Sequence, residues 1–263
     1  MVTGTETHST STLKWPQIAV LLAAALQVLT PLLPQLGIGE PIGSRSDAVR
    51  TLITPSGWAF SIWGALYAGS VLFAIYQALP AQHDNVFLDR IRWPAAGAFL
   101  GNAVWAAYTQ TFGLSVVSVA IIVWTLACLL VIYRTFSTAT FTTGERWFAF
   151  VPLSALTAWL TVATTVNIAA SLRHHGVEGG AAAPAIGAAI VVLSGIIAAV
   201  ALARGRGNLP FAAVFLWAFV AIFSAGGQVA ELIAAATAAA GILVACGLLT
   251  GLRRPHSSGT AKG

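Results

Sequence analysis

A chain of 263 residues that is 57% hydrophobic and only 8% charged, with a mean hydropathy of +0.83, cannot cover a water-exposed surface, because soluble domains carry about 25% charged residues. It specifies an integral membrane protein embedded in a lipid bilayer. The formal net charge of +5 comes from isolated basic residues in short loops, which excludes a nucleic-acid-binding patch, and Cys128 and Cys246 both fall inside apolar runs, which excludes a disulfide framework or a thiol redox centre.

In chain order, residues 1–14 read as a disordered polar tail. The first membrane helix is expected over residues 16–36, with Gln27 as its polar exception; it is too long for a signal peptide and ends in Pro31, Pro34 and Gln35 without a small-residue cleavage site. The linker 37–53 carries Glu40, Arg45, Asp47 and Arg50 and is long enough to fold over a bundle mouth, although a plain surface loop is the commoner outcome. A second helix is expected over 55–79, opened by Pro55, whose missing N–H has no partner in a first turn anyway. Phe60, Trp63 and Tyr67 then share one face, while Trp58 reads as an interfacial anchor.

Further helices are expected over 91–112, 114–133, 147–170, 181–203, 209–225 and 230–249. The short turn at Gly113 and Ser115 makes the third and fourth antiparallel neighbours. Gly187, Gly195, Gly241 and Gly247 read as close-packing positions. The weakest boundary lies at residues 226–231, and a single broken helix there would reduce the count from eight to seven. Eight helices place Lys14, Arg90, Arg92, Arg134, Arg146, Arg204, Arg206, Arg253, Arg254 and Lys262 on one side and Arg45, Arg50 and Arg173 on the other. That asymmetry predicts both termini in the cytoplasm. The expected fold class is therefore an all-α polytopic membrane bundle, with no evident internal repeat.

Polar groups in hydrocarbon are expensive, so mid-helix amides mark candidate sites. Asn102 and Trp105 lie three apart, and Trp159, Ala163 and Asn167 follow at intervals of four. A wide ring, a small residue and an amide on one face form a slot for a flat ligand, or an interlock with another helix. Thr161, Thr164 and Thr165 are expected to satisfy their own helix carbonyls, and Trp15, Trp93 and Trp147 stand at helix starts as belt anchors. No mid-membrane carboxylate pair, nucleophile constellation or phosphate loop is present, and the adjacent His174 and His175 lack a third metal ligand. The reading is non-enzymatic, with no metal and no required cofactor.

Three segments resemble the translocator protein (TspO/MBR) family, also called tryptophan-rich sensory proteins. Residues 159–167, Trp-Leu-Thr-Val-Ala-Thr-Thr-Val-Asn, are similar to the family's fifth-helix pattern Trp-x-x-Phe-Ala-x-x-Leu-Asn, with Val162 and Val166 in place of Phe and Leu. Residues 102–105 resemble its third-helix Asn-x-x-Trp, and residues 63–67 its second-helix Trp-x-x-Leu-Tyr. Residue 56 is serine where the family pairs two prolines, Phe60 stands three rather than four residues before Trp63, and the linker lacks the family's Trp and Lys-Pro pattern. Family members usually have five membrane helices. The resemblance therefore implies a five-helix portion over 15–171, three additional helices over 172–252 and a polar tail over 253–263, an elongated branch of the family.

The resemblance further implies a membrane receptor, sensor or carrier of a bacterial cytoplasmic membrane, binding a flat hydrophobic or amphipathic small molecule such as a tetrapyrrole. Phe60, Trp63, Tyr67, Asn102, Trp105, Trp159, Ala163 and Asn167 are its expected ligand-binding residues. The alternatives are an active transporter, with a pathway that alternates between the two sides, and a structural role in which the aromatics only pack helices. The oligomeric state, a homodimer included, stays open.

Overall fold

The computed structural model describes residues 13–254, so the expected N-terminal tail lies almost wholly outside the described residues, as does the C-terminal one beyond Arg254. Helix α1 (Trp15–Leu29) starts with Pro16 in its first turn, where a missing N–H costs nothing. It tightens into a 3-10 turn (Thr30–Leu36) containing Pro34 and stops at Gly37 in a left-handed conformation. The linker then forms a short helix, α2 (Ile42–Ala48).

The second membrane segment differs from expectation at its entry. Pro55 and Ser56 precede a 3-10 turn (Gly57–Ser61), and α3 (Ile62–Ala78) begins only after it. Phe60 therefore belongs to the turn, and Trp63 and Tyr67 to the helix proper. Helix α4 (Val86–Phe112) starts five residues earlier than expected, because Asn85 caps it by accepting from the Leu88 amide at 3.0 Å. Ser115 caps α5 (Val116–Thr138), with Ser118 bonding back to its amide at 3.0 Å. Thr142 and Glu145 form a reciprocal capping box over the single turn α6 (Thr143–Glu145). A π-helical turn (Arg146–Phe150) leads into α7 (Val151–His174), just where Pro152 removes a backbone donor. Helices α8 (Ala183–Arg204), α9 (Leu209–Phe223, capped by Asn208) and α10 (Glu231–Leu252) complete the chain. The boundary near residue 228 is a real break, a short 3-10 turn between α9 and α10.

Among the described residues, six segments are long and apolar enough to cross a membrane: Trp15–Leu36, Gly57–Ala78, Val116–Thr138, Thr143–His174, Gly180–Arg204 and Glu231–Leu252. Helix α4 is long but more polar, and α9 is apolar but shorter. Helices α1, α4, α5, α7 and α3 pack as successive neighbours and close into a ring, while α9 leans on α7 and α8 pairs with α10.

The ring is held partly by buried polar bonds. Gln17 and Gln77 exchange side-chain-to-carbonyl bonds at 3.0 and 3.1 Å. Arg92, expected on the basic side as an orientation signal, is fully buried in α4. Its guanidinium donates to Gln77 Oε1 and to the Gln77 carbonyl, both at 3.0 Å, to the Gln82 carbonyl at 2.6 Å, and pairs with Asp89. A buried arginine is tolerable only with its donors satisfied, and the end of α3 supplies that shell. Nearby, Lys14 Nζ donates to Asp84 Oδ1 at 2.9 Å and ties the start of α1 to the α3–α4 loop. That bond and the Lys14 charge hold the Asp84 carboxyl below its ordinary value.

Helices α8 and α10 use small residues instead. A Cβ on Gly195 would lie 2.8 Å from Ala240 Cα, and one on Gly247 2.5 Å from Ala199 Cα. Such backbone approach is how helices associate where lipid removes the hydrophobic drive. Gly241 has only an ordinary 3.8 Å neighbour, so it does not share that role.

Candidate functional site

The ring narrows around an apolar slot lined by Phe60 and Trp63 from the α3 entry, Trp105 from α4, Leu114 at the α4–α5 turn, and Trp159, Val162, Ala163, Val166 and Asn167 from α7. Ile42 and Ser46 of α2, with Pro55, close it from the linker side. Trp159 stands at the centre: Trp63 meets it edge-on at 6.1 Å between ring centroids and Phe60 at 6.3 Å. These are the edge-to-face arrangements that aromatic quadrupoles favour. Trp63 also stacks on Tyr67 at 5.1 Å, and Tyr67 lines an adjoining cavity of about 230 Å³ that shares Ile42, Phe60 and Trp63 with the slot.

Six of the eight expected residues thus meet in the slot: Phe60, Trp63, Trp105, Trp159, Ala163 and Asn167. Tyr67 does not reach it. Asn102 does not either; it is buried against α1 and donates to Gln27 Oε1 at 3.2 Å. The lining residues that sequence reasoning missed are Ile42, Ser46, Pro55 and Leu114. Val162 and Val166 were visible as substitutions within the fifth-helix pattern, three and seven residues from Trp159, on the flanks of the Trp159–Ala163–Asn167 face.

The linker covers the slot because it is pinned to the end of α4. The Glu40 amide donates to the Gln110 carbonyl at 2.9 Å. Arg45 caps the same helix end, its Nη2 donating to the Gln110 and Thr111 carbonyls at 3.2 Å. Gly39, at φ 75, passes so close that a Cβ would sit 2.5 Å from the Gln110 oxygen, so no other residue fits this crossing.

The α3 entry is held from the opposite side by α9. Trp58, expected to anchor in lipid, meets Trp217 edge-on at 4.8 Å, and Trp217 Nε1 donates to the Ala59 carbonyl at 3.1 Å. The Ser56 amide donates to the Ala221 carbonyl at 3.0 Å. The aromatic wall is thus positioned by a helix outside the ring.

The polar inventory of the slot is one-sided. Asn167 Oδ1 accepts from Ser118 Oγ at 2.9 Å, but Asn167 Nδ2, Trp105 Nε1 and Trp159 Nε1 have no partner among the described residues. All three residues are at most 7% exposed, so bulk water does not solvate them, and a buried unpaired donor costs about 1–3 kcal/mol. The hydroxyls of Thr157, Thr161, Thr164 and Thr165 bond back to carbonyls of their own helix at 2.6–3.1 Å and offer the slot no competing donor. Free space among the side chains is about 50 Å³, room for only a few water molecules. Among the described residues, no group of three or more His, Cys, Asp or Glu side chains could hold a metal ion.

Among the described residues, an all-α bundle with six helices long and apolar enough to cross a membrane defines a polytopic membrane protein. The chain belongs to the family described as TSPO-like protein, whose pattern matches residues 15–250. The match runs through α8, α9 and α10, well past Asn167, where the last of the three resembling motifs ends. Comparisons with curated proteins and with solved structures give no match. As a member of this family the chain is a non-enzymatic membrane protein of receptor or transporter type.

Proposed function

We propose that the protein is a membrane receptor or carrier whose ring binds a flat, amphipathic small molecule bearing hydrogen-bond acceptors, a tetrapyrrole being the leading class. The observation that carries this reading is the set of three unpaired donors, Trp105 Nε1, Trp159 Nε1 and Asn167 Nδ2, buried around one apolar slot. Aromatic walls take up a flat ring, and the donors meet carbonyl or carboxylate oxygens at its edge. A ring of tetrapyrrole size exceeds the 50 Å³ now free. Binding therefore requires α2 to lift, which joins the slot to the adjoining 230 Å³ cavity across Ile42.

In this reading α4 and α9 also span, for eight membrane helices in an elongated branch of the family, with the basic side and both termini in the cytoplasm. Helix α4, at 27 residues, is about 40 Å long, enough to cross the hydrocarbon layer. The second reading is helix packing without a ligand, which the small free volume favours. Equilibrium binding of tetrapyrroles and sterols to the purified protein separates the two. Trp105→Phe, Trp159→Phe and Asn167→Ala should each weaken tetrapyrrole binding about 3- to 10-fold, the worth of one hydrogen bond. Parent affinity in all three folded variants, or no binding by the parent, would leave the packing reading standing.

A further inference from the structure

A second cavity, of about 900 Å³, lies outside the ring where α5, the π-helical turn, the α8–α9 loop, α9 and the end of α10 meet. Its walls are largely apolar, among them Phe141, Phe150 and Leu252, and among the described residues its only charged lining residues are Arg146 and Arg206. Neither arginine has an ion pair or a side-chain hydrogen bond among the described residues. The carboxylate next in sequence, Glu145, is buried and already accepts from Asn85 Nδ2 and the Thr142 amide, both at 2.8 Å.

Arg206 is held there against local preference. It is the only non-glycine with positive φ among the described residues, at 59°, a conformation that glycine adopts without strain. Gly205 and Gly207 on either side are wedged: a Cβ on Gly205 would lie 2.5 Å from the Tyr133 hydroxyl, and one on Gly207 2.6 Å from Leu252 Cγ. The backbone on both sides of Arg206 is therefore closely packed, which holds its Cα at the mouth of the cavity.

The depth of the cavity is marked by Trp147, exposed beside Arg146 at the head of a membrane-length segment, the place where tryptophans sit at the headgroup level. Leu209 and Leu252, both on its rim and both exposed, open it sideways. Two cations at headgroup depth over an apolar, laterally open hollow match one occupant, since arginine forks bind phosphate and basic pockets between membrane helices hold anionic headgroups. We propose that this cavity is a binding site for an anionic phospholipid, its phosphate between Arg146 and Arg206 and its acyl chains along Phe141, Phe150 and Leu252.

The test uses the full chain in detergent, with bound lipid counted by native mass spectrometry during titration with phosphatidylglycerol or phosphatidylcholine. Phosphatidylglycerol should bind at least about 10-fold tighter, and Arg146→Gln and Arg206→Gly should each lower that affinity about 10-fold. Arg206→Gly relieves the left-handed strain and should unfold no earlier than the parent, so lost binding cannot be ascribed to lost fold; Arg134→Gln, on the same side but outside the cavity, should bind like the parent. Equal affinity for the two lipids, or parent affinity in the Arg146→Gln, Arg206→Gly double variant, overturns the proposal. Displacement of the lipid by inorganic phosphate at equal concentration overturns it too, because the site would then be one for a soluble anion.

Discussion

Helices of the ring bury Gln17, Gln27, Gln77, Arg92, Asn102, Gln110 and Asn167 among apolar side chains, whereas α8 and α10 bury only Ser194 and Thr237 as polar side chains. Those two hydroxyls bond to carbonyls of their own helix at 2.8–3.0 Å and ask nothing of a neighbour. Among the described residues, all seven buried side-chain polar atoms left without a partner lie in α1, α4 and α7, and none in α8, α9 or α10. One region gains its register from directed polar bonds and keeps unspent hydrogen-bonding capacity; the other gains contact from bare backbone and keeps none. The unpaired buried donors thus lie in the ring, while the outer helices brace it through Trp217 and through Gly226, whose Cα faces the Leu52 backbone so closely that a Cβ has no room.

The sharpest way to break this contrast is to add one methyl group to each kind of outer-helix glycine. Gly247→Ala should cost about 3 kcal/mol, because the new methyl meets the Ala199 backbone, which cannot give way. Gly241→Ala, facing only a 3.8 Å neighbour, should be neutral or stabilise by up to about 1 kcal/mol through helix propensity. Thermal unfolding in detergent reads both. Equal effects would mean that the α8–α10 seam is not held by backbone approach.

Within the ring, Arg92→Leu should cost about 2–3 kcal/mol, since the Gln77 and Gln82 acceptors lose their donor. Arg92→Lys should recover only part of it, because a point charge cannot reproduce the guanidinium fork. Full recovery by lysine would show that charge rather than directed bonding sets the ring. A smaller effect joins the two regions. Trp217→Phe removes the bond to the Ala59 carbonyl, worth about 1 kcal/mol, and trims the ring that meets Trp58; it should weaken ligand binding in the slot several-fold by loosening the Phe60 and Trp63 wall. Unchanged affinity would make the outer helices mere neighbours of the ring.

Apolar run lengths located each long helix in order, and the amides inside those runs pointed to the polar ring, because hydrophobic periodicity and rare polar interruptions are local properties. What was not legible depends on partners distant in sequence. Nothing in α4 alone reveals the Gln77 shell that buries Arg92. Asn102 shared a helix with Trp105, but its partner Gln27 lies on α1 and draws it out of the slot. Trp58 read only as an interfacial anchor; its contact with Trp217 was hidden because Trp217 is far along the chain. The linker's role as a cover was invisible for the same reason: Arg45 finds its acceptors only once α4 ends beside it.

The central claim is that Trp105, Trp159 and Asn167 offer donors to an acceptor-bearing ligand, and one comparison addresses it most directly. Affinities of a porphyrin carrying propionate carboxylates and of an alkyl-only porphyrin of the same ring size should be measured for the parent and for Asn167→Ala. In that variant the Ser118 hydroxyl can turn its one proton to the Ser115 carbonyl, 2.7 Å away, so no new polar group is orphaned. The account predicts that the parent prefers the carboxylate porphyrin by about 10-fold or more, the worth of one or more charge-assisted bonds, and that the preference shrinks in Asn167→Ala. Equal binding of the two porphyrins by the parent, or a preference untouched by the substitution, would contradict it.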